Sequence, residues 1–174
     1  VAVLIIVSSV MNGFEQELKD RVLNVIPHAS IYGLNPIDDW KSVEINLKDD
    51  TNIRGISPYI ETEALIKSKS AVAGVLVNGV IASKDKTVSV IHEFMQVGDF
   101  EKIQTDNNIV LGRLLARKLN VDVGDKISLM LPDTSSSFAG YFPKSKVFNI
   151  SGIFKIGSKD IDETLAYISL ENAS

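Results

Sequence analysis

Histidines and clustered carboxylates are the side chains in this sequence that could do metal or acid–base chemistry. The histidines, His28 and His92, lie far apart in sequence, whereas a histidine-based zinc site needs two or three such ligands at a defined spacing. The acidic clusters at 38–39, 49–50 and 160–163 fall at predicted turns and helix ends, where carboxylates are normally solvated. Cysteine is absent, which excludes thiolate ligands and thiol nucleophiles. We therefore predict no catalytic residue, no metal site and no enzymatic activity on this chain.

A segment near the C-terminus comes close to a phosphate-binding P-loop without matching it. Between Gly152 and Lys159, the second glycine is followed by serine and then lysine. The motif needs lysine first, to reach the phosphates, and then a hydroxyl for Mg²⁺. In a P-loop, the start of the following helix attracts the phosphate anion. Here that position is followed by acidic residues at 160, 162 and 163, which would repel an anion. The sequence therefore predicts neither ATPase activity nor a nucleotide cofactor.

The composition is that of a folded globular domain. Of the 174 residues, 45% are hydrophobic and 23% are charged, with 11 glycines and 5 prolines, which excludes collagen-like, low-complexity and disordered chains. The length suits one domain or two small subdomains. The 18 basic and 22 acidic residues give a net charge of −4. Because they form no basic stripe, nucleic acid is excluded as a partner.

The beginning of the chain is unusually apolar. Residues 1–7 are an unbroken apolar run that resumes at 10–11, and apolar residues then recur at helical spacing, at 14, 18 and 22, until Pro27 ends the pattern. We predict that residues 1–13 are the end of a transmembrane helix that continues as an amphipathic one. As a helix, the apolar residues 1–11 would cover roughly 16 Å of a ~30 Å hydrocarbon core. The alternative is a buried N-terminal strand, because β-branched residues are frequent here.

Patterns along the rest of the chain predict an α+β fold. Strands are predicted at 28–32, 53–58, 59–66 and 71–81, with a helix capped by Asp38 between the first two. Asn78-Gly79 is either a hairpin turn or part of a continuing strand. A second unit is predicted from Ser83, with a short helix at 90–95 and a clearer one at 111–119 capped by Asn120. Strands are predicted at 126–131, 146–154 and 165–170, with residues 148, 150 and 154 facing inward.

The connection between the strands at 126–131 and 146–154 carries aromatic residues. Its first half is rich in serine and typical of a solvated turn, and its second half places three aromatic rings within five positions. Exposed aromatic side chains are the usual anchors of protein interfaces. The alternative is an Ω-like loop whose rings fold onto its own strands. The predicted partner-binding residues are Pro132, Phe138, Gly140, Tyr141, Phe142 and Pro143.

Three stretches of this sequence resemble one family. They are residues 8–15 (Ser-Ser-Val-Met-Asn-Gly-Phe-Glu), which lead out of the apolar helix, residues 114–127 around the turn Val-Gly-Asp-Lys, and residues 148–154 (Phe-Asn-Ile-Ser-Gly-Ile-Phe). With them, the chain resembles the extracytoplasmic domain of LolC/LolE-type permeases, the membrane subunits of the bacterial lipoprotein-releasing ABC transporter. These permeases are related to the exporter MacB. The first stretch is fairly specific to them, whereas the Val-Gly-Asp-Lys turn is shared across the wider superfamily.

The resemblance implies a MacB-like periplasmic domain between the first two transmembrane helices of an inner-membrane permease in a Gram-negative bacterium. It implies a porter-like βαβ subdomain, residues 14–82 plus 156–174, with an inserted β-rich, sabre-like subdomain, residues 83–155. The implied partners are lipoprotein substrates, a second permease subunit and separate cytoplasmic subunits that hydrolyse ATP. The loop at 132–143 would hold a LolA-like periplasmic lipoprotein carrier.

The junction between the apolar and amphipathic parts of the first helix is a candidate place for lipid chains to enter beneath the domain. Val10, Met11 and Phe14 would line it, and the flexible thioether of methionine suits varied acyl chains. The alternative is a plain helix that packs on its own domain.

Two other functions are compatible with the superfamily. One is a MacB-like exporter domain, which would come with a fused ATPase. The other is an FtsX-like domain that activates cell-wall hydrolases, against which the motif at residues 8–15 argues.

Overall fold

A computed structural model describes residues 2–25, 27–33, 37, 39–131 and 144–174 of the chain. Within these ranges the α-helices are α1 (Ala2–Val25), α2 (Trp40–Leu47), α3 (Ala82–Asp85), α4 (Arg113–Leu119), α5 (Lys159–Thr164) and α6 (Leu170–Ala173). The strands are β1 (Tyr59–Lys67), β2 (Val72–Val80), β3 (Met95–Gly98), β4 (Asn108–Gly112), β5 (Lys126–Leu131), β6 (Lys144–Phe154) and β7 (Leu165–Ser169). Two 3₁₀ helices cover Ile91–Phe94 and Phe100–Gln104. The predicted α+β class is confirmed.

The chain begins with a 24-residue helix, α1. The helical spacing of its apolar residues is confirmed, and the alternative of an N-terminal strand is wrong. In the part of the chain that the structure describes, no helix is both long enough and apolar enough to cross a membrane. The prediction that residues 1–13 end a transmembrane helix remains a prediction.

The strands form one mixed sheet that closes on itself. The order is β3-β6-β4-β7-β2-β1-β5, and β5 pairs with β6 as well as with β1. The six strands from β6 to β5 therefore form a closed ring, and β3 pairs with β6 outside it. The pairs β2–β7 and β4–β6 are parallel and the other pairs are antiparallel. The predicted ranges 14–82 plus 156–174 and 83–155 both contribute strands to this sheet, and β7 lies between β2 and β4.

Strands β1 and β2 form the longest hairpin of the sheet. Their register runs from Tyr59 opposite Val80 to Lys67 opposite Val72. Asn78-Gly79 lies inside β2, so the continuing strand is correct and the hairpin turn is wrong. The turn lies instead at residues 68–71, where the Ser68 N–H donates to the Ala71 carbonyl at 2.9 Å.

Strand β6 carries an irregularity that changes which face its side chains occupy. Ile109 of β4 pairs with Ile150, but the next residue, Val110, pairs with Gly152. One extra residue on β6 therefore shifts the alternation. As a result, residues 148 and 150 pack inside the closed sheet, whereas Phe154 packs outside it. The prediction that all three are buried is confirmed, and the prediction that they share one face is wrong.

The buried apolar residues form two clusters on opposite faces of the sheet. The inner cluster receives side chains from all six strands of the closed ring and from one face of α4. The outer cluster covers the other face of β4, β6 and β7, and it is formed with Val25 of α1, Ala82 of α3 and both 3₁₀ helices. The outer cluster therefore joins the sheet to the end of α1.

Two predicted strands are not formed. Residues 28–32 and 53–58 have no strand hydrogen bonding, and residues 27–33 are exposed to solvent. A contact in this region is a hydrogen bond between the hydroxyls of Tyr59 and Tyr32, whose rings meet edge to face at 6.3 Å. The predicted helix cap Asp38 lies outside the described residues. Asp39 caps α2 by accepting a hydrogen bond from the Ser42 N–H at 3.2 Å.

Candidate functional site

The predicted lipid-contacting residues lie together on the exposed part of α1. Val10 and Phe14 are four residues apart and Met11 and Phe14 are three apart, so the three side chains share one side of the helix. Their exposed fractions are 66%, 69% and 65% for Val10, Met11 and Phe14. The alternative, that this part of the helix packs on its own domain, is not what the described residues show. In the described structure this apolar side of α1 is exposed to solvent.

The opposite end of α1 is attached to the domain. Val25 is buried in the outer cluster. The buried Ser89 hydroxyl donates to the Val25 carbonyl at 2.9 Å and accepts a hydrogen bond from the Ile91 N–H at 3.3 Å. This bond satisfies one of the carbonyls that a helix end leaves without a partner. We call Val25, Ser89 and this hydrogen bond the α1 attachment.

A buried polar group lies next to the α1 attachment, and the sequence analysis missed it. Asp85 is 6% exposed, and within the described residues its Oδ2 has no hydrogen-bond partner. Burial raises the pKa of this carboxyl to about 7. In sequence, an aspartate between Lys84 and Lys86 is typical of a solvated surface. Both lysines instead form ion pairs with other carboxylates, Lys84 with Glu44 and Lys86 with Glu101.

Asp85 lies near Tyr167, which is one member of a row of paired residues on neighbouring strands. Glu61 of β1 pairs with Asn78 of β2, and Asn78 pairs with Tyr167 of β7. Burial and the nearby charge of Asp85 raise the pKa of the Tyr167 hydroxyl. Among the described residues, the buried Asn78 Oδ1 also has no hydrogen-bond donor. Two buried acceptors that have no donor within the described ranges, Asp85 Oδ2 and Asn78 Oδ1, therefore lie on the face that the outer cluster covers.

The strand pair that leads into the predicted partner-binding loop is regular up to the last described residues. Its register runs from Lys126 opposite Asn149 to Leu131 opposite Lys144. The hydroxyls of Ser128 and Ser145 lie 2.8 Å apart across the pair. The loop itself lies outside the described residues, and with it all six predicted partner-binding positions, which are Pro132, Phe138, Gly140, Tyr141, Phe142 and Pro143.

Two backbone amides of the segment that comes close to a P-loop are bound by a side chain of this chain. Asp162 accepts hydrogen bonds from the Ile156 N–H at 2.8 Å and from the Gly157 N–H at 3.1 Å. The expectation that the acidic cluster at 160–163 is solvated is wrong for Asp162, which is 3% exposed. Its carboxylate is structural, because it satisfies buried amides. Over the described ranges, His, Asp and Glu form no group of three that could hold a metal ion.

Comparison with known proteins identifies relatives over the whole chain. The family model described as the MacB-like periplasmic core domain matches residues 1–174. The "Lipoprotein-releasing system transmembrane protein LolC" of Xylella fastidiosa (strain 9a5c) is 34% identical over 174 residues, which cover 99% of this chain and 42% of that protein. The "Lipoprotein-releasing system transmembrane protein LolE" of Haemophilus influenzae is 33% identical over 178 residues, with the same coverage. The chain thus spans less than half the length of these relatives.

A solved structure shares the fold. The crystal structure of the extracellular domain of the noncanonic ABC-type transporter YknZ from Gram-positive bacteria matches with a TM-score of 0.54 at 12% sequence identity. The match covers 79% of this chain and 66% of that one. At this identity the likeness shows the fold alone.

Proposed function

The chain belongs to the MacB-like periplasmic core domain family, and from this premise we propose that it is the periplasmic domain of a LolC/LolE-type permease. The permease would release lipoproteins from the inner membrane of a Gram-negative bacterium and pass them to a soluble periplasmic carrier. The observation that carries this proposal is similarity along 99% of the chain to proteins named as lipoprotein-releasing system LolC and LolE.

The proposed division of labour follows from how little of the relatives' length the chain spans. The chain covers 42% of those proteins, so the membrane-spanning parts beyond residues 1–13 and the contacts with cytoplasmic ATPase subunits are assigned to other parts of the permease. The second permease subunit would be a separate partner. ATP hydrolysis would occur on those cytoplasmic subunits. Within this chain, residues 14–82 plus 156–174 would be the porter-like subdomain and residues 83–155 the inserted sabre-like one.

Helix α1 would transmit motion between the membrane and the domain. Its 24 residues span about 36 Å at 1.5 Å per residue. One end is exposed and apolar, which suits a membrane, and the other end is fixed in the outer cluster by Val25 and Ser89. A displacement of the exposed end would therefore move the residues that contact the attached end.

The exposed side of α1 would contact the acyl chains of lipoproteins. Val10, Met11 and Phe14 are highly exposed, and a flexible thioether beside an aromatic ring adapts to apolar ligands of varied shape. A photocrosslinker at position 11 or 14 of the assembled transporter should trap lipoprotein, whereas the same group at Ile45 on α2 should not. Labelling of neighbouring subunits alone would contradict this assignment.

The loop at 132–143 would dock a LolA-like carrier. Support comes from its three aromatic residues and from the regular strand pair β5–β6, which holds the two ends of the loop at Leu131 and Lys144. Pro132 and Pro143 restrict the backbone at both ends, which lowers the entropy lost on binding.

The experiment that tests the proposed function compares two alanine variants for binding to the purified carrier. Phe142→Ala should weaken binding roughly thirtyfold, which corresponds to about 2 kcal/mol, with little change in melting temperature. The control Ile45→Ala removes an exposed apolar side chain from α2 and should leave the affinity unchanged. Unchanged carrier binding together with a sharply lowered melting temperature for Phe142→Ala would make the loop a structural cover. Capture of a cell-wall hydrolase instead of the carrier would favour the FtsX-like function.

A further inference from the structure

We propose that Asp85 is a neutral carboxylic acid when α1 is firmly attached to the domain, and that loss of its proton loosens the α1 attachment. The inference concerns this chain alone and goes beyond the proposed carrier function. It rests on a buried carboxyl whose Oδ2 has no hydrogen-bond partner among the described residues, and on a short path of hydrogen bonds from that residue to α1.

The surroundings of Asp85 favour the neutral acid. An ionised carboxylate out of water costs several kcal/mol unless a cation or hydrogen-bond donors compensate it. Asp85 is buried, and within the described chain its Oδ2 has no donor. The neighbouring cations, Lys84 and Lys86, are paired with Glu44 of α2 and Glu101 of the second 3₁₀ helix.

The other groups that face Asp85 do not supply positive charge. Tyr167 of β7 is a buried phenol, and Glu61 of β1 lies in the same cross-strand row. His92, on the 3₁₀ helix that contributes Ile91 to the outer cluster, is an ionisable side chain of the same cover. It must therefore be controlled for in a pH experiment.

Asp85 is connected to α1 through its own backbone. The Asp85 carbonyl accepts hydrogen bonds from the Ser89 N–H at 2.8 Å and the Val88 N–H at 2.9 Å. Ser89 in turn donates its hydroxyl to the Val25 carbonyl at 2.9 Å. If the ionised side chain turns towards water, α3 and the following turn must shift, and Ser89 shifts with them. The hydrogen bond that holds the end of α1 is then lost.

The sign of the pH dependence follows from the raised pKa. An aspartate in the unfolded chain titrates near pH 4, whereas in the folded chain burial raises the pKa of Asp85 to about 7. Between these values the folded state binds one proton more than the unfolded state, so stability falls as the pH rises through this window. The stabilisation is complete below about pH 4 and is lost above about pH 7.

The test is a melting-temperature series from pH 5 to pH 8 on the whole chain. The unmodified chain should lose about 5 °C across this range. Asp85→Asn, which mimics the neutral acid, should melt near the unmodified chain at pH 5 and about 5 °C above it at pH 8. Asp49→Asn, an exposed control, should keep the full loss, and His92→Gln should also keep it.

The link to α1 is tested by hydrogen exchange of the last turn of α1 at the same pH values. After correction for intrinsic rates, exchange in the unmodified chain should be faster at pH 8 than at pH 5. It should be slow at both in Asp85→Asn and fast at both in Ser89→Ala.

Three results would overturn the proposal. The first is a melting temperature of the unmodified chain that stays constant or rises from pH 5 to pH 8. The second is a pH dependence of the melting temperature in Asp85→Asn equal to that of the unmodified chain, and the third is hydrogen exchange in the last turn of α1 that does not change with pH. If Asp85→Asn does not fold, the ¹³C resonance of the Asp85 carboxyl in the unmodified chain decides. A midpoint near pH 7 supports the proposal, and one near pH 4 overturns it.

Discussion

The inner and outer clusters lie on opposite faces of the same strands, and they are covered in different ways. The inner cluster is enclosed by a sheet that closes on itself and by α4. The outer cluster is covered by short elements, namely α3, two 3₁₀ helices and the last turn of α1, and it has the buried polar residues Asp85 and Ser89 beside it. A closed sheet has little freedom to rearrange, whereas short helices can move as units. The comparison indicates that the inner cluster provides stability and the outer cluster provides an adjustable connection to α1.

The largest effect in this comparison is expected at Phe148 in the inner cluster. Phe148 is fully buried between strands of the closed sheet. Phe148→Ala should lower the free energy of unfolding by about 4 kcal/mol, because the surrounding strands cannot collapse into the cavity. Chemical denaturation followed by circular dichroism measures this loss.

The matched variant in the outer cluster is Phe100→Ala. Phe100 is equally buried and meets Tyr167 edge to face at a ring distance of 5.4 Å. We expect a smaller loss, about 3 kcal/mol, because the 3₁₀ helix that carries Phe100 can close part of the cavity. Equal losses in the free energy of unfolding at Phe148 and Phe100 would contradict the idea that the elements covering the outer cluster adapt more easily than the closed sheet.

The sequence predicted best those elements whose determinants are local. The end of α4 and the start of β5 are an example. Apolar spacing predicted this helix, although its predicted start at residue 111 lies in β4. Asn120, which adopts a left-handed conformation with φ 53°, ends the helix as predicted. The helix of α1 was also predicted, because an apolar run is followed by apolar residues at helical spacing until Pro27 ends the pattern.

The sequence could not show which strand edges find partners. Residues 28–32 alternate like a strand, but alternation carries no information about whether a neighbouring edge is free. Closure of the sheet and the extra residue of β6 are likewise properties of the whole fold. A single buried acid such as Asp85 has no periodic signature, so its place in the candidate site emerged only from the structure.

The third prediction concerns the α1 attachment, where the expected loss is smaller than at either phenylalanine. Ser89→Ala removes the donor to the Val25 carbonyl and leaves a buried acceptor without a partner. We expect a loss of about 1–2 kcal/mol in the free energy of unfolding. The control is Ser128→Ala, whose hydroxyl pairs with Ser145 on an exposed part of the sheet and should cost less than about 0.5 kcal/mol. Equal effects of the two serines would remove the special role of Ser89.

The smallest expected effect lies at the surface of α4, the helix that closes the inner cluster. Lys118 of α4 and Glu163 of α5 form an ion pair at 2.9 Å, and the hydrogen bond and charge of Lys118 lower the pKa of Glu163. Because the pair is solvent-exposed, screening by water leaves little net stability. Glu163→Gln should change the melting temperature by about 1 °C or less at pH 7.

Since the pKa of Glu163 is lowered, any stabilisation by the ion pair must be present at neutral pH and disappear as the pH falls through the acid range. Glu63→Gln, an exposed carboxylate on β1, is the control. If Glu163→Gln lowered the free energy of unfolding as much as Ser89→Ala, the surface ion pair with α5 would be needed to keep α4 in place. The stability of the inner cluster would then depend on surface contacts.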